Sequence, residues 1–440
     1  MSGPVAADRR TFLKAGAAGL VFSTVAGAPA LAAAGRSPRR AYVLVVDGCR
    51  PDEIDSGLTP NLAALRDGGL RFPQASSMPV METIPNHVMM MTGLRPDRTG
   101  VPANSVFDRG LGEVRTLDRP SDIRCGTLLG RLGRRGLTTG TVLSKTYLYG
   151  VFGGRPTHRW EPSPTLPITD HAPDALTIDA AITMLEEYDP NLMFVNLGDI
   201  DRFGHADLTG TTLRVARRLA LADTDLQVQR FLDALKAQGL WDRSIVIVLA
   251  DHSMDWSTPD RLIGLTGPLT ADPLLAGRVQ IADNGGADLL YWTGPDTQRA
   301  EAIERMRTIA RAQEGVLAAY ARTAPWLRLG PEAGDVVVFC QAGWRFSEPD
   351  PTANPIPGNH GHPATRSIPF FVGGGHPDVP RRTASSRVAR TIDVAPTVAA
   401  FFGAGAPKGG YDGRNLLPRT PRQQPVIEIV EVPAPHAGHR

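Results

Sequence analysis

The sequence predicts an α/β protein: one large, mostly parallel sheet sandwiched between helices, with a small α+β subdomain inserted into it. Three observations carry that prediction. Short β-branched runs, apolar on both faces, recur along the chain, as strands covered on both sides require. Helical periodicities alternate with them. Acid and imidazole residues follow several of the runs, at the edge where strands of an open α/β sheet deliver their chemistry.

The strand-like runs are AYVLVV (41–46), TTGTVL (138–143), NLMFVNL (191–197), SIVIVLA (244–250), DVVVFC (335–340) and IPFFVGG (368–374). Helices are expected near 60–67, 84–91, 174–188, 212–238, 298–313 and 391–401. In ETIPNHVMMM, a threonine ahead of proline and an apolar run is how a helix commonly opens, so Thr83 is expected at the cap of its helix. Residues 255–365 are richer in Gly, Pro and Asp and contain a local strand, helix, strand pattern (ADLLYW, TQRAEAIERMRTIARA, DVVVFC), which predicts the inserted subdomain. The catalytic domain is then expected over 35–417, followed by a Pro-rich tail, 418–440, with one strand-like piece, VIEIVEV.

The N-terminus carries Arg9 and Arg10, then Phe12-Leu13-Lys14, a moderately apolar Ala/Gly/Val stretch and small residues at Ala30, Ala32 and Ala34. This has the form of a Tat-type export signal over 1–34, read by the Tat machinery and delivering the chain to the periplasm, cell envelope or exterior. The apolar run is short and rich in Ala and Gly, so no stable membrane anchor is expected. Elsewhere, 42% hydrophobic and 21% charged residues are ordinary globular composition, and the net charge of +2 identifies no partner. No basic stripe with interleaved aromatics is present, which argues against binding of a nucleic-acid duplex. Lysine is rare, at 14, 145, 236 and 408 only. Cys49, Cys125 and Cys340 are odd in number, so at least one is unpaired; a bridge between Cys125 and Cys340 is left open.

After AYVLVV comes Asp47-Gly48; after NLMFVNL comes GDIDRFGH, with Asp201 and His205 four apart; after SIVIVLA comes Asp251-His252; before IPFFVGG comes GNHGHP, with His360 and His362. Each piece alone is weak, since an Asp-Gly is usually a turn and a lone histidine usually nothing. Brought together, carboxylates and imidazoles without a counter-charge would be costly, and divalent metal resolves the cost. Mixed Asp/His sets suit zinc, and there are enough residues for two ions, with manganese a poorer fit. Two ions roughly 3.5–4 Å apart point to displacement at phosphorus, and a metal-bound Thr83 hydroxyl becomes a nucleophile.

The ordered set LVVDGCRPD, TPNLAAL, ETIPNH, MTGLRPDRTGVPAN, DIDRFGH, ADHSM, GNHGHP and IDVAPTVAAFFG resembles the alkaline phosphatase superfamily, nearest its type I phosphodiesterase/nucleotide pyrophosphatase branch. The resemblance implies an alkaline phosphatase-like fold and hydrolysis of small phosphoric diesters through a phosphothreonine. It implies that Asp47, Asp251 and His252 with the nucleophile Thr83 hold one metal and that Asp201, His205 and His360 hold the other, where the leaving group departs. Asn104 falls where the family places an amide donating to a nonbridging phosphoryl oxygen. His362 and Asp199 are rivals to His360 and Asp201. Cys49 stands where nucleotide-cleaving members often have an aromatic, which weakens any inference of base stacking. Lys145 is either a solvated strand end or a substrate-binding cation reaching a remote charge, as in related phosphomonoesterases and phosphonoacetate hydrolases. Those two activities, and a non-catalytic exported metal-binding protein, are the alternatives.

Overall fold

The computed structural model describes residues 38–167, 169–349 and 356–418. The export signal expected over 1–34 and the strand-like piece of the tail lie outside them. The described residues form one compact unit. Its central sheet consists of β1 (Arg40–Val46), β2 (Leu70–Arg71), β3 (Thr139–Leu143), β4 (His158–Trp160), β5 (Leu192–Leu197), β6 (Ser244–Leu249), β7 (Phe370–Gly373) and β8 (Thr383–Ala384). Their order is β8-β2-β7-β6-β1-β5-β3-β4. Every residue of β1, β5 and β6 is buried, which is why these strands read as unbroken apolar runs.

Register decides where the chemistry emerges. β1 pairs in parallel with β5, Val46 opposite Leu197, and with β6, Val45 opposite Leu249. Their carboxyl ends therefore finish level, and Asp47, Gly198 and Ala250 leave the sheet at one edge. β3 is parallel to β5 in turn, Leu143 opposite Asn196, and brings Ser144 and Lys145 to the same edge.

The helices that matter below are α1 (Pro60–Gly68), α2 (Thr83–Thr92), α3 (Thr146–Phe152), α4 (Asp174–Tyr188), α5 (Asp199–Ala206), α6 (Val215–Ala237), α7 (Arg299–Arg311) and α8 (Val394–Phe401). α1, α4 and α5 each pack against α6, and α2 packs against α8. α2 is buried at every position, including Met89, Met90 and Met91, so those methionines are packing residues.

Two strands differ from the parallel pairing that their apolar runs suggest. Val336–Cys340 lies in the inserted subdomain, as expected, but pairs antiparallel with Ala287–Trp292 and Val316–Ala321, and Val279–Ala282 completes that separate four-stranded sheet. β7 does lie in the main sheet, but antiparallel to β6. The run DVVVFC is apolar on both faces for a different reason than parallel pairing. Val337 and Phe339 pack into the main core, whereas Val336, Val338 and Cys340 join a second cluster with Ala302, Met306 and Ala310 of α7. Burial on both sides erases the alternation that would mark an antiparallel strand. All three cysteines are free thiols, so the bridge left open between Cys125 and Cys340 does not form.

The inserted sheet carries one group that opposes its stability. Asp288 is fully buried in Ala287–Trp292, and its Oδ2 meets no hydrogen-bond partner among the described residues. Burial, with the nearby Asp283 and Glu348, pushes its carboxyl well above the usual range. A raised folded-state value means stability that is complete below the unfolded carboxyl value and lost as pH climbs through the folded one. Asp288→Asn is therefore expected to raise Tm at pH 8 and to do so less at pH 5, in thermal melts at the two pH values; an unchanged or lowered Tm at pH 8 contradicts the assignment.

Candidate metal centre

The sheet edge gathers the acid and imidazole groups into a buried cluster. Asp47 follows β1, Asp251 and His252 follow β6, and Asp201 and His205 stand one turn apart on α5. His360 enters from the loop before β7 and Thr83 from the first turn of α2. Asp47, Asp251 and His252 are 0% exposed, Thr83 and Asp201 1% and His360 7%. Gly48 makes room for this convergence: its φ is +72°, and a Cβ there would lie 3.1 Å from the Cα, Cβ and Oδ1 of Asp201.

The imidazole tautomers are set from behind. His205 Nδ1 donates to the Gly358 carbonyl at 2.8 Å, His252 Nδ1 to that of Ser253 at 2.9 Å, and His360 Nδ1 to that of Met81 at 3.2 Å. Each Nε2 is thereby left with its lone pair. Those lone pairs face acceptors. His205 Nε2 is 3.3 Å and His360 Nε2 4.0 Å from Asp201 Oδ1, and His252 Nε2 is 3.3 Å from Asp251 Oδ2 and 3.8 Å from Asp47 Oδ1. Asp47 Oδ1 and Asp251 Oδ2 are buried and accept no hydrogen bond among the described residues. Lone pair against carboxylate is an arrangement that a cation between them satisfies, so these residues fit divalent metal.

Two sets of potential ligand atoms come within 4.8 Å of one another: Asp201, His252 and His360, and Asp47, His87 and Asp251. The division differs from the expected one because His252 stacks on His360, ring centres 3.7 Å apart, and sits between both sets. His87 is better read as a support than a ligand. Its Nδ1 donates to the Thr83 carbonyl at 2.8 Å and its Nε2 accepts from Asn196 Nδ2 at 3.0 Å, which leaves no free lone pair.

Thr83 is the first residue of α2, not its cap; Glu82 holds the cap position, with φ −130° and ψ 164° and no side-chain cap bond. The Thr83 hydroxyl is instead 3.2 Å from His252 Nε2. The helix start is capped from outside: the Ile84 N–H donates to Asn104 Oδ1 at 2.8 Å, and the Asn104 N–H donates to Glu82 Oε2 at 2.6 Å. Asn104 is thus oriented with its NH2 group away from the helix. Asn104, Thr83, Asp201, His205 and His360 all line one cleft of about 400 Å³.

Lys145 does not reach outward as a substrate-binding cation would. It is 0% exposed, with Nζ 2.8 Å from Asp47 Oδ2 and 2.7 Å from Asp201 Oδ2. It belongs instead to the charge balance of the cluster. Burial opposes its charge, but Asp201 and Asp47 outweigh burial and raise its pKa. Asp201 is likewise buried, yet Lys145 and His205 hold its carboxyl well below the ordinary range. Burial pushes Asp47 and Asp251 up and His252 down to about 4.

The rivals separate cleanly. Asp199 accepts from His171 Nε2 at 2.6 Å, and His362 faces Asp255 Oδ2 at 3.4 Å, so both point away from the ligand sets. Sequence reasoning missed the residues that brace the centre. Arg217 of α6 pairs with Glu53 through Nε at 2.6 Å and Nη2 at 2.7 Å, and donates to the carbonyls of Gly48 and Ile200, the neighbours of Asp47 and Asp201. Asn196 donates to Asp47 Oδ2 at 2.7 Å and accepts from Ser144 at 2.6 Å. A polar residue inside an otherwise apolar strand was the available signal for Asn196; for Arg217, in a charged helix, there was none.

The model of the type I phosphodiesterase / nucleotide pyrophosphatase family matches residues 41–363, nearly the whole stretch that bears the cluster. The chain belongs to that family. Among its relatives, the bis(5'-adenosyl)-triphosphatase ENPP4 of Bos taurus is 25% identical over 239 residues, 53% of this chain and 51% of the relative. Human ectonucleotide pyrophosphatase/phosphodiesterase family member 5 is 24% identical over 253 residues, 53% and 49% of the two chains. The matched stretch thus spans about half the length of these curated family members. Murine ENPP5 shares the family fold with a TM-score of 0.67 at 19% identity, over 83% of this chain and 96% of that one. An inactive threonine-to-alanine variant of murine ENPP5 in complex with AMP superposes with a TM-score of 0.66, also at 19% identity and with the same coverage.

Lys145→Met leaves two buried family-site carboxylates without their cation, a change expected to cost the metal-free protein about 3–5 kcal/mol. Urea unfolding of chelator-treated wild type and variant measures it; a difference below about 1 kcal/mol would mean that Lys145 is not a structural counter-ion.

Proposed function

We propose that the chain is an exported, metal-dependent phosphoric diester hydrolase working through a phosphothreonine at Thr83. The observation that carries the reading is the convergence of imidazole lone pairs and buried carboxylates beside the Thr83 hydroxyl. Two divalent ions, zinc expected, would be held by Asp47, Asp251 and His252 with Thr83, and by Asp201, His205 and His360. When bound, they lower the pKa of the hydroxyl and offset charge on the leaving oxygen.

Thr83 Oγ forms the new bond to phosphorus as the bond to the leaving oxygen breaks, with that oxygen facing Asp201, His205 and His360. Asn104 supports the phosphoryl group: with Oδ1 occupied by the Ile84 N–H, its NH2 is free to donate to a nonbridging oxygen. The first turn of α2 adds the positive end of its dipole. Water then hydrolyses the phosphothreonine, and two displacements leave net retention at phosphorus. The threonine-to-alanine inactivation of the ENPP5 structure and its bound AMP support a threonine nucleophile and a nucleotide-sized ester here. The burial of Lys145 disfavours the phosphomonoesterase and phosphonoacetate readings, which need it as an anchor. No helix among the described residues is long and apolar enough to cross a membrane.

Purified protein should hydrolyse bis-p-nitrophenyl phosphate and the p-nitrophenyl ester of thymidine monophosphate faster than p-nitrophenyl phosphate or phosphonoacetate. Fastest turnover of the monoester sinks the diesterase reading. Thr83→Ala should abolish turnover while keeping metal, and Asn104→Ala should lower kcat about 10²–10³-fold. Chelation should remove activity, and metal analysis of protein purified without added salts should find two ions per chain; one ion or none overturns the two-ion reading.

A further inference from the structure

The cleft has walls of opposite sign. Glu82 and Asp283 line one part of it, and Arg202 is the sole lysine or arginine among its described lining residues. Arg202 follows Asp201 on α5 and precedes His205 by three positions, so it stands beside the ligand set that faces the leaving oxygen. Its charge has no close ion pair: burial opposes it, and Tyr147, Asp201, Asp47 and Asp170 support it from a distance. The nearest carboxylate oxygen, Asp201 Oδ2, is 4.0 Å from Nε and is already engaged by Lys145 at 2.7 Å. Arg202 Nε is buried without a hydrogen-bond partner among the described residues. Nη2 donates to the Tyr147 hydroxyl at 3.3 Å, and the guanidinium carbon lies 5.5 Å from the Tyr147 ring centre. Tyr147 also lines the cleft. A guanidinium held over a ring, with unspent donors beside a cleft that it lines, is built to meet an anion.

We propose that Arg202, braced by Tyr147, is a specificity determinant that binds an anionic group carried by the leaving portion of the substrate. This rests on the diesterase reading above and names the leaving group that the site favours. Asp283, which also lines the cleft, disfavours such a group near itself and leaves Arg202 as the cation to meet it. In the reaction Thr83 Oγ bonds to phosphorus, the bond from phosphorus to the leaving oxygen breaks, and that oxygen keeps the electron pair. The second anionic group, phosphoryl or carboxylate, stays on Arg202 throughout.

Substrates that share one transferred group separate the sources of charge. These are thymidine 5'-monophosphate joined to p-nitrophenol, to 4-carboxyphenol, or to a second thymidine monophosphate through a diphosphate. Arg202→Met should lower kcat/KM for the diphosphate at least tenfold more than for the p-nitrophenyl ester, with Arg202→Lys recovering part of the difference. A comparable extra loss on the carboxyphenyl ester would show that charge alone is read; no extra loss there would restrict the subsite to phosphoryl groups. Equal losses on all substrates overturn the proposal. A second readout does not require turnover: in calorimetry on metal-loaded Thr83→Ala protein, adding Arg202→Met should weaken pyrophosphate at least tenfold more than orthophosphate. If the wild type cleaves no diester yet this affinity difference holds, the hydrolase reading fails and the anion site stands. If the difference is absent, the anion site fails.

Discussion

Three imidazoles with Nδ1 pinned to backbone carbonyls must aim their Nε2 lone pairs at buried carboxylates, and that electrostatic demand organises everything around it. Water could relieve part of the demand only from the cleft side, where His205 is partly exposed; Asp47, Asp251 and His252 are fully buried. Relief there has to come from cations, and the fold supplies one of its own. Lys145 joins Asp47 to Asp201, residues delivered by different strands and assigned to different ligand sets. Because both carboxylates share this ammonium, a displacement of either is felt by the other.

The rigidity behind the cluster comes from a second layer with the same logic. Arg217 is fully buried, takes the Glu53 carboxylate in two hydrogen bonds and spends its remaining donors on the carbonyls beside Asp47 and Asp201. A guanidinium suits this place because its planar fork addresses several fixed acceptors at once, which an ammonium does not. Helix α6 therefore does more than cover the sheet: it fixes the spacing between the loop that presents Asp47 and the helix, α5, that presents Asp201.

Much of this was legible in the sequence, and the limits have physical causes. β1, β5 and β6 announce themselves because burial on both faces makes their sequences uniformly apolar, and Asp47, Asp201, Asp251 and their histidines are conspicuous as charges at the ends of such runs. The same uniformity hid the pairing of Val336–Cys340, whose two faces pack into two different clusters. Thr83 was expected at a cap, but helix capping here is a long-range affair: Asn104, from a separate loop, takes the Ile84 N–H that a local side chain would otherwise take. Lys145 looked like a solvated or substrate-facing cation because a lone lysine after a strand says nothing about which carboxylates the neighbouring strands will bring to it. Contacts made through sheet register are invisible until the register is known.

That internal lysine also bears on which phosphate ester suits the site. Asp47, Asp201 and Asp251 carry three formal negative charges and Lys145 cancels one, so the two dications proposed above would bring the cluster to a net charge of plus two. A diester monoanion together with an ionised Thr83 hydroxyl would carry minus two and neutralise it. A monoester dianion in the same place would leave one negative charge in excess, near the cleft-lining Asp283. In a site shielded from water such an excess is costly. Charge balance would therefore favour the proposed diester over a monoester from inside the cluster, and it leaves Arg202 as the group able to accept a further negative charge, provided that the charge lies on the leaving side.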